Sequence, residues 1–212
     1  MLSHDDRPPV GPADRGAGAV RNRKGLRRLL SGLSVVMLLV AVGVLGYPFY
    51  TNLYQGRVQD NLEDQLATPE MEEAYRTGTV AVGQSLTRLK IPSLGVDTVV
   101  VEGTTLSALR AGAGHYVDTP LPCQPGNVAI AGHRTTYGRP FHNLDRMKPG
   151  DQIILETPVG SCTYVLSKAP FVVEPTDFSV VSASPGGMLT LTTCHPKNSD
   201  RQRLIVQADL QA

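Results

Sequence analysis

Several features are missing or scarce in this sequence. Its 212 residues include no tryptophan, and aromatic residues make up only 5% of the chain. The hydrophobic fraction is nevertheless 41%, an ordinary value for folded proteins, so the composition does not indicate overall disorder. The chain is long enough for one domain with a core plus appendages, and it is too short for two large domains.

Motifs for phosphate, nucleic-acid and metal binding are also missing. No glycine-rich phosphate loop occurs, and basic residues do not cluster outside the N-terminal region, so we expect no nucleic-acid partner. A zinc site from His133, Cys194 and His195 is conceivable, but the spacing matches no usual zinc template. We therefore expect neither a metal ion nor a cofactor.

Positive charge is concentrated at one end of the chain. Residues 1–28 hold seven Lys/Arg and three Asp, a net charge of +4, whereas the remainder carries −3. Residues 29–56 contain no charge, and residues 29–50 are apolar enough to cross a bilayer. By the positive-inside rule we predict a cytoplasmic N-terminus, one transmembrane helix over 29–50 and an extracytoplasmic remainder in the cell membrane. A cleaved signal peptide is the alternative, although the apolar run is long and no clear cleavage site follows it.

The three cysteines are an odd number, which matters because disulfide bonds form outside the cytoplasm. At least one cysteine must be free or bonded elsewhere. Either Cys123 pairs with Cys162 and leaves Cys194 as a free thiol, or all three are reduced. The sequence leaves both possibilities open.

Four segments are predicted along the chain: a disordered basic tail at 1–28, the membrane helix at 29–50, an extracytoplasmic stalk at 51–85 and a catalytic domain at 86–212. The stalk is acidic and polar, with helix-prone stretches on either side of a Thr-Pro pair. A helix packed on the domain is an equally good reading of the stalk.

From residue 86 onward, short β-type runs alternate with turn signals about every 10 residues. This pattern predicts a mainly β domain with seven or eight strands and one or two short helices. Such domains form a single closed or nearly closed β-barrel, or a sandwich.

Three residues at the ends of predicted strands are candidates for chemistry. Cys194 ends "MLTLTTC", His133 ends "NVAIAGH", and Arg203 opens "RLIV", which we expect to be the antiparallel neighbour of the cysteine strand. Together they supply a thiol nucleophile, an imidazole acid and base, and a cation for an oxyanion. Taken singly, each has a plainer reading as a buried thiol, a half-exposed polar residue or a solvated charge. Arg201 is the rival for the role of the cation.

The combination of these motifs resembles the sortases, membrane-anchored cysteine transpeptidases of Gram-positive bacterial surfaces. The resemblance is carried by "TLTTC" at Thr190–Cys194, by Arg203 before an apolar strand and by "NVAIAGHR" at Asn127–Arg134. The segment "FHNLDRMKPGD" at Phe141–Asp151 is similar too, and the whole match covers about residues 86–210. The His-Pro pair directly after the cysteine is most like class E, the type found in actinobacteria.

The resemblance implies a sortase-type β-barrel and an enzyme that cleaves an LPxTG- or LAxTG-type sorting signal between Thr and Gly. It implies Cys194 as the nucleophile, His133 as acid and base, and Arg203 as the oxyanion clamp. Thr193 would help to shape the substrate groove. The implied partners are surface proteins that bear the signal and an amine of peptidoglycan.

Two other functions stay open. One is a different cell-wall cysteine peptidase or transpeptidase, although the chain lacks the Ser-His-Gly-Cys context of L,D-transpeptidases and the Cys-before-His order of papain-like enzymes. The other is a membrane-tethered β-domain that only binds. We expect His115, His142 and His195 to be core or loop residues.

Overall fold

The computed structural model describes the backbone of residues 17–211 and the side chains of residues 25–46 and 54–211. The first part of the predicted disordered tail, up to residue 16, lies outside the described residues. Residues 17–28 belong to the first helix, α1, which runs over Ala17–Leu66. The chain divides after Tyr50 into two units, which are described separately.

The first unit contains the apolar part of α1. Residues Gly25–Gly46 form a 22-residue stretch whose large apolar side chains are exposed. At 1.5 Å per residue this stretch is about 33 Å long, which matches the hydrocarbon core of a bilayer. By length and composition it is a candidate membrane anchor, and it lies four residues closer to the N-terminus than the predicted span of 29–50.

The second unit begins with the last turns of α1 and a short helix, α2 (Pro69–Thr77). Thr68 separates the two helices as an N-cap, because its hydroxyl accepts a hydrogen bond from the Met71 amide (3.3 Å). Met71 and Tyr75, one turn apart, are 3% and 5% exposed. Of the two readings of residues 51–85, this burial favours a helix packed on the domain.

Nine strands and one further helix follow in the described chain. The strands are β1 (Ser85–Ile91), β2 (Val96–Glu102), β3 (Ala113–His115), β4 (Gly126–Ala131), β5 (Gln152–Thr157), β6 (Gly160–Leu166), β7 (Phe171–Val173), β8 (Gly187–His195) and β9 (Gln202–Leu210), and helix α3 (Leu106–Ala111) lies between β2 and β3.

Eight of these strands close into a barrel. Their order is β6-β5-β1-β2-β3-β4-β8-β9, and β9 pairs again with β6 to complete the ring. Three-residue β7 pairs with the first half of β9 outside the ring. Two of the pairings, β2 with β3 and β4 with β8, are parallel, and the others are antiparallel. The predicted mainly β barrel is confirmed, and β7 is one strand more than expected.

One apolar cluster fills the barrel. It takes inward-facing side chains from nearly every strand together with residues of the loop that follows β4. Its largest fully buried members include Leu89, Ile91, Ile130, Phe141, Leu144, Ile153, Leu155, Tyr164, Leu189 and Leu191.

A disulfide bond resolves the pairing that the sequence left open. Cys123, in the loop before β4, is joined to Cys162 of β6, with 5.6 Å between the Cα atoms. The Tyr164 hydroxyl accepts a hydrogen bond from the Cys123 amide (3.2 Å), and the Tyr75 hydroxyl donates to the Pro122 carbonyl. We call these five residues the disulfide corner, and they tie α2, the loop and β6 together.

Candidate active site

Cys194 and Arg203 are cross-strand partners. Strands β8 and β9 are antiparallel, and their register places Cys194 opposite Arg203. Directly opposed residues project on the same face of the sheet, with Cβ atoms about 4.5–5.5 Å apart. Arg201 lies before β9, is exposed and donates to the Ser199 hydroxyl (3.3 Å). Arg203 is therefore the arginine that the register brings beside the thiol.

His133 reaches the same level from the other side of β8. Strands β4 and β8 are parallel, and Ala131 is the partner of Thr192. The pairing continues past the end of β4, because the Gly132 amide donates to the Thr192 carbonyl (3.1 Å). Continuing this register by one residue brings His133 next to Cys194.

All three side chains belong to the outer face of the barrel. The residues that alternate with them fill the interior: Val128 and Ile130 of β4, Leu189 and Leu191 of β8, and Leu204 and Val206 of β9. By the two-residue period of a strand, His133, Cys194 and Arg203 project outward. Cys194 is a free and partly exposed thiol. We call these three residues the strand-end site.

The Val180 carbonyl binds side chains on the outer face of the three strands that lead to the site. The 3-10 turn Phe178–Val181 lies across the three strands, and the Val180 carbonyl accepts hydrogen bonds from one side chain of each. The donors are Asn127 Nδ2 of β4 (3.0 Å), Thr190 Oγ1 of β8 (3.2 Å) and Gln207 Nε2 of β9 (3.2 Å). Sequence reasoning missed this contact, although polar residues inside apolar strands are a signal for it.

The environment of His133 favours its neutral form. Its ring lies 5.1 Å from the ring of Tyr137, and the Arg110 guanidinium lies 5.6 Å from the centre of that tyrosine ring. Burial, and after it the charge of Arg110, lowers the pKa of His133 from its ordinary value of 6.5. Arg110 comes from α3 and Tyr137 from the loop after β4, and no sequence motif identified either as a neighbour of His133.

Arg203 is held by the loop between β8 and β9. Its Nη1 donates to the carbonyls of Asp200 (2.8 Å) and Gln202 (3.1 Å). Within the part of the chain that the structure describes, Nε and Nη2 of this guanidinium have no protein acceptor. Two donor nitrogens are therefore left for a bound ligand.

The end of β4 is fixed beside β8 by two interior contacts. The buried Thr193 hydroxyl donates to the Gly132 carbonyl (2.7 Å), next to His133. Gly132 packs against Phe141 so closely that a Cβ atom would lie 2.5 Å from the ring. A glycine is therefore required before His133. The expected part of Thr193 in a substrate groove stays a prediction, since the contact that the structure gives it is with β4.

The other three histidines that the structure describes lie outside this constellation. His115 is fully buried, with Nδ1 2.9 Å from Glu102 Oε2 and Nε2 2.9 Å from the Pro120 carbonyl oxygen. His142 lies on the loop after β4, whereas His195 is the last residue of β8 and not the loop residue that the sequence predicted, and both contact Arg134. Among the described residues, no group of three or more His, Cys, Asp or Glu side chains is arranged to hold a metal ion.

Comparisons with known proteins agree with this geometry. The family model described as a sortase domain matches residues 89–211. The sortase SrtE1 of Streptomyces coelicolor is 28% identical in an alignment 207 positions long, which covers 88% of this chain and 59% of that protein. More than half of the chain matches the family model, so the chain belongs to the sortase family.

Two solved structures resemble different aspects of the chain. Sortase E from Streptomyces avermitilis is 38% identical, with a TM-score of 0.57 over 62% of this chain and 91% of that one. The Clostridium perfringens sortase D5 transpeptidase is 28% identical, with a TM-score of 0.65 over 74% of this chain and 98% of that one. The sequence is thus more similar to the class E protein, as the motifs predicted, while the D5 protein matches more of the structure. The chain spans 54–59% of the length of the curated relatives it matches.

Proposed function

We propose that this chain is a cysteine transpeptidase that cleaves an LPxTG- or LAxTG-type sorting signal and transfers the protein to a peptidoglycan amine. The observation that carries the proposal is the strand-end site. Cys194 and Arg203 are cross-strand partners in β8 and β9, and His133 follows two residues after the end of β4, the other neighbour of β8. A thiol, an imidazole and a guanidinium within reach of one peptide bond suit acyl transfer.

The first step is attack on the sorting signal. The Cys194 thiol gives its proton to the neutral imidazole of His133, the resulting thiolate forms a bond to the carbonyl carbon of the threonine, and the carbonyl oxygen takes the negative charge. Nε and Nη2 of Arg203 donate hydrogen bonds to that oxyanion or to the neighbouring peptide backbone. The Asp200 and Gln202 carbonyls restrain Nη1, so the guanidinium is partly ordered before the substrate binds.

Collapse of the tetrahedral intermediate breaks the Thr–Gly bond. His133 gives its proton to the departing glycine amine, and the threonine carbonyl remains as a thioester on Cys194. An acceptor amine then attacks the thioester and loses a proton to His133, and the thiolate leaves. The lowered pKa of His133 makes the neutral imidazole the main form at neutral pH, which suits its role as the base of the second half-reaction.

The chain offers a place for the extended peptide. The outer face of β4, β8 and β9 leads from the thiol to the turn Phe178–Val181, which closes one end. Thr193 contributes to this groove indirectly, since its hydroxyl holds the end of β4 against β8. The spacing between His133 and Cys194 depends on that contact.

The disulfide supports an extracytoplasmic location for the barrel. Disulfide bonds persist in oxidising compartments and are rare in the cytoplasm. With basic residues immediately before the apolar stretch Gly25–Gly46, the positive-inside rule gives a cytoplasmic N-terminus and a barrel on the outer surface. Surface proteins and peptidoglycan amines are both found there.

A ligation assay tests the proposal. The full-length chain in detergent micelles is incubated with an LAxTG or LPxTG peptide and with triglycine or a diaminopimelate-containing amine, and the products are weighed by mass spectrometry. We expect a product that joins the threonine to the amine, and no such product from Cys194→Ala. Hydrolysed peptide without ligation would indicate another cysteine peptidase. Bound but intact peptide would indicate a binding module.

A further inference from the structure

Arg134, the residue directly after His133, carries a buried charge. Its side chain is 3% exposed, and it lies where β4 has ended and the following loop begins. Burial of a guanidinium is unfavourable unless its donors find acceptors, and an apolar residue of similar size often gives equal or greater stability. Stability alone therefore does not explain an arginine at this position.

One end of the guanidinium contacts the segment that holds the thiol. Arg134 Nη1 lies 3.2 Å from the Cys194 carbonyl oxygen and 2.9 Å from His195 Nδ1. Arginine only donates hydrogen bonds, so His195 Nδ1 is the acceptor and its proton resides on Nε2. The guanidinium thus binds the backbone of Cys194 and the side chain of the next residue.

The other end contacts the loop between β4 and β5. Arg134 Nη2 lies 3.1 Å from Asp145 Oδ1. Although partial burial of Asp145 opposes it, a backbone hydrogen bond and the charges of Arg134 and Lys197 lower the pKa of this carboxyl group. The Arg134 carbonyl accepts a hydrogen bond from His142 Nδ1 (2.8 Å), so main chain and side chain of Arg134 are both fixed.

Resting on the proposed function, we propose that Arg134 is a positioning residue that sets the distance between His133 and Cys194. Its main chain continues from His133, and its side chain binds the carbonyl of Cys194. The ladder between β4 and β8 ends at Ala131 and Thr192, two residues before His133 and Cys194, and the guanidinium joins the two segments beyond that point. A planar fork reaches two segments at once, which a lysine ammonium does not reproduce.

The chemistry of the site makes this spacing important. Proton transfer between His133 and the leaving or attacking amine requires the imidazole to keep a fixed position relative to the acyl carbon on Cys194. A displacement of about 1 Å at a reacting group lowers a rate by as much as about 100-fold. Substrate binding along the outer face does not involve Arg134, so its loss acts on turnover more than on peptide affinity.

The test compares Arg134→Met and Arg134→Lys with Arg146→Met, a matched control at the exposed last residue of the nearby turn Leu144–Arg146. Each full-length variant in detergent micelles is assayed for kcat and KM with the sorting peptide, and its melting temperature is measured. We expect kcat to fall about 10- to 100-fold in Arg134→Met, less in Arg134→Lys, and KM to stay within about 3-fold. Arg146→Met keeps the wild-type kcat.

A double-mutant cycle with His195→Leu separates positioning from general destabilisation. Because His195 and Cys194 share the same Nη1, the fold-decrease of kcat in the double variant should be smaller than the product of the decreases in Arg134→Met and His195→Leu.

If Arg134→Met does not fold, Asp145→Asn serves instead, and we expect a 3- to 10-fold lower kcat from it. The positioning role of Arg134 is overturned, and the proposed function is not, if Arg134→Met folds and keeps the wild-type kcat. The same holds for Asp145→Asn where it is used instead. A wild-type chain that forms no ligated product overturns the proposed function and the inference together.

Discussion

Two of the three cysteines are joined to each other in the disulfide corner, whereas the third, Cys194, is a free thiol one residue before the end of β8 in the strand-end site. In the corner, the tyrosine hydroxyls bond to backbone atoms inside the fold. In the strand-end site, the thiol is partly exposed and Arg203 keeps two donors for a ligand. We propose catalysis only for the strand-end site, so substitutions there should change the rate of ligation, whereas substitutions in the disulfide corner should change the free energy of unfolding.

Removal of the free thiol gives the largest expected effect. In Cys194→Ala no thioester forms, and we expect the ligation rate to fall by at least about 10⁴-fold. The side chain is partly exposed and small, so the free energy of unfolding changes by less than about 1 kcal/mol. Ligation kinetics and urea denaturation of the full-length chain in mild detergent measure the two quantities. A ligation rate above one tenth of the wild-type rate would remove Cys194 from the mechanism.

Removal of the disulfide should have the opposite profile. The bond closes a loop with a sequence separation of 39, so Cys123→Ser with Cys162→Ser is expected to lower the free energy of unfolding by about 4 kcal/mol. The rate per folded molecule should stay within about 2-fold of wild type. Urea denaturation with and without dithiothreitol checks the first value, since reduction of the wild type should reproduce the loss. If the fully folded variant lost activity, the disulfide corner would also affect the strand-end site.

Arg201 provides a matched control for the role of Arg203 at the oxyanion. We expect Arg203→Met to lower kcat about 10²- to 10³-fold, the usual effect of removing one oxyanion donor. Arg201→Met, two residues away but outside the register with Cys194, should stay within about 2-fold. Initial rates at saturating peptide decide between them. A reversal of the two results would contradict the strand register as the basis of the site.

Tyr75 tests a single hydrogen bond of the disulfide corner. Tyr75→Phe keeps the buried ring and removes the hydroxyl that donates to the Pro122 carbonyl. We expect the free energy of unfolding to fall by about 1–3 kcal/mol, because a buried acceptor is left unpaired, while kcat does not change. Tyr54→Phe, at an exposed tyrosine of the same chain, is the control. Equal denaturation midpoints for wild type and Tyr75→Phe would show that this contact contributes nothing.

The smallest effect is expected at Arg110. Its charge is the second cause, after burial, of the lowered pKa of His133, so Arg110→Met should raise that pKa while leaving it below 6.5. In the wild type the unfolded chain binds a proton at His133 more readily than the folded chain, so stability rises with pH between the lowered pKa and 6.5. In Arg110→Met the free energy of unfolding should rise less over this pH range. Titration of the His133 ring signals by NMR measures the pKa directly, and a pKa that falls or stays constant would contradict the assignment.

Much of the barrel and the order of its motifs was predictable from the sequence. Alternation of apolar residues in "MLTLTTC" and "RLIV" predicts adjacent strands, and the structure confirms that β8 and β9 pair. The short loop "HPKNSDRQ" leaves them few other arrangements. The family resemblance is confirmed by the match over residues 89–211. The catalytic roles of the three residues stay predictions.

Other parts depend on contacts between residues far apart in sequence. The pairing of Cys123 with Cys162 requires the loop before β4 to lie against β6, which no local pattern indicates. Residues 51–85 were open between a stalk and a packed helix, because the two buried positions of α2 do not distinguish a domain contact from a partner contact. Arg110 reaches the neighbourhood of His133 only because α3 lies beside the loop after β4.

The most direct test of the central claim is to trap the acyl-enzyme on the strand-end site. The full-length chain is exposed briefly to an LAxTG or LPxTG peptide without any amine, and its intact mass and a proteolytic map are recorded. The account predicts a mass increase equal to the peptide through its threonine, located on Cys194 and removed by hydroxylamine. The account is contradicted if a folded protein with a reduced thiol gains no mass, or carries the acyl group on any other residue.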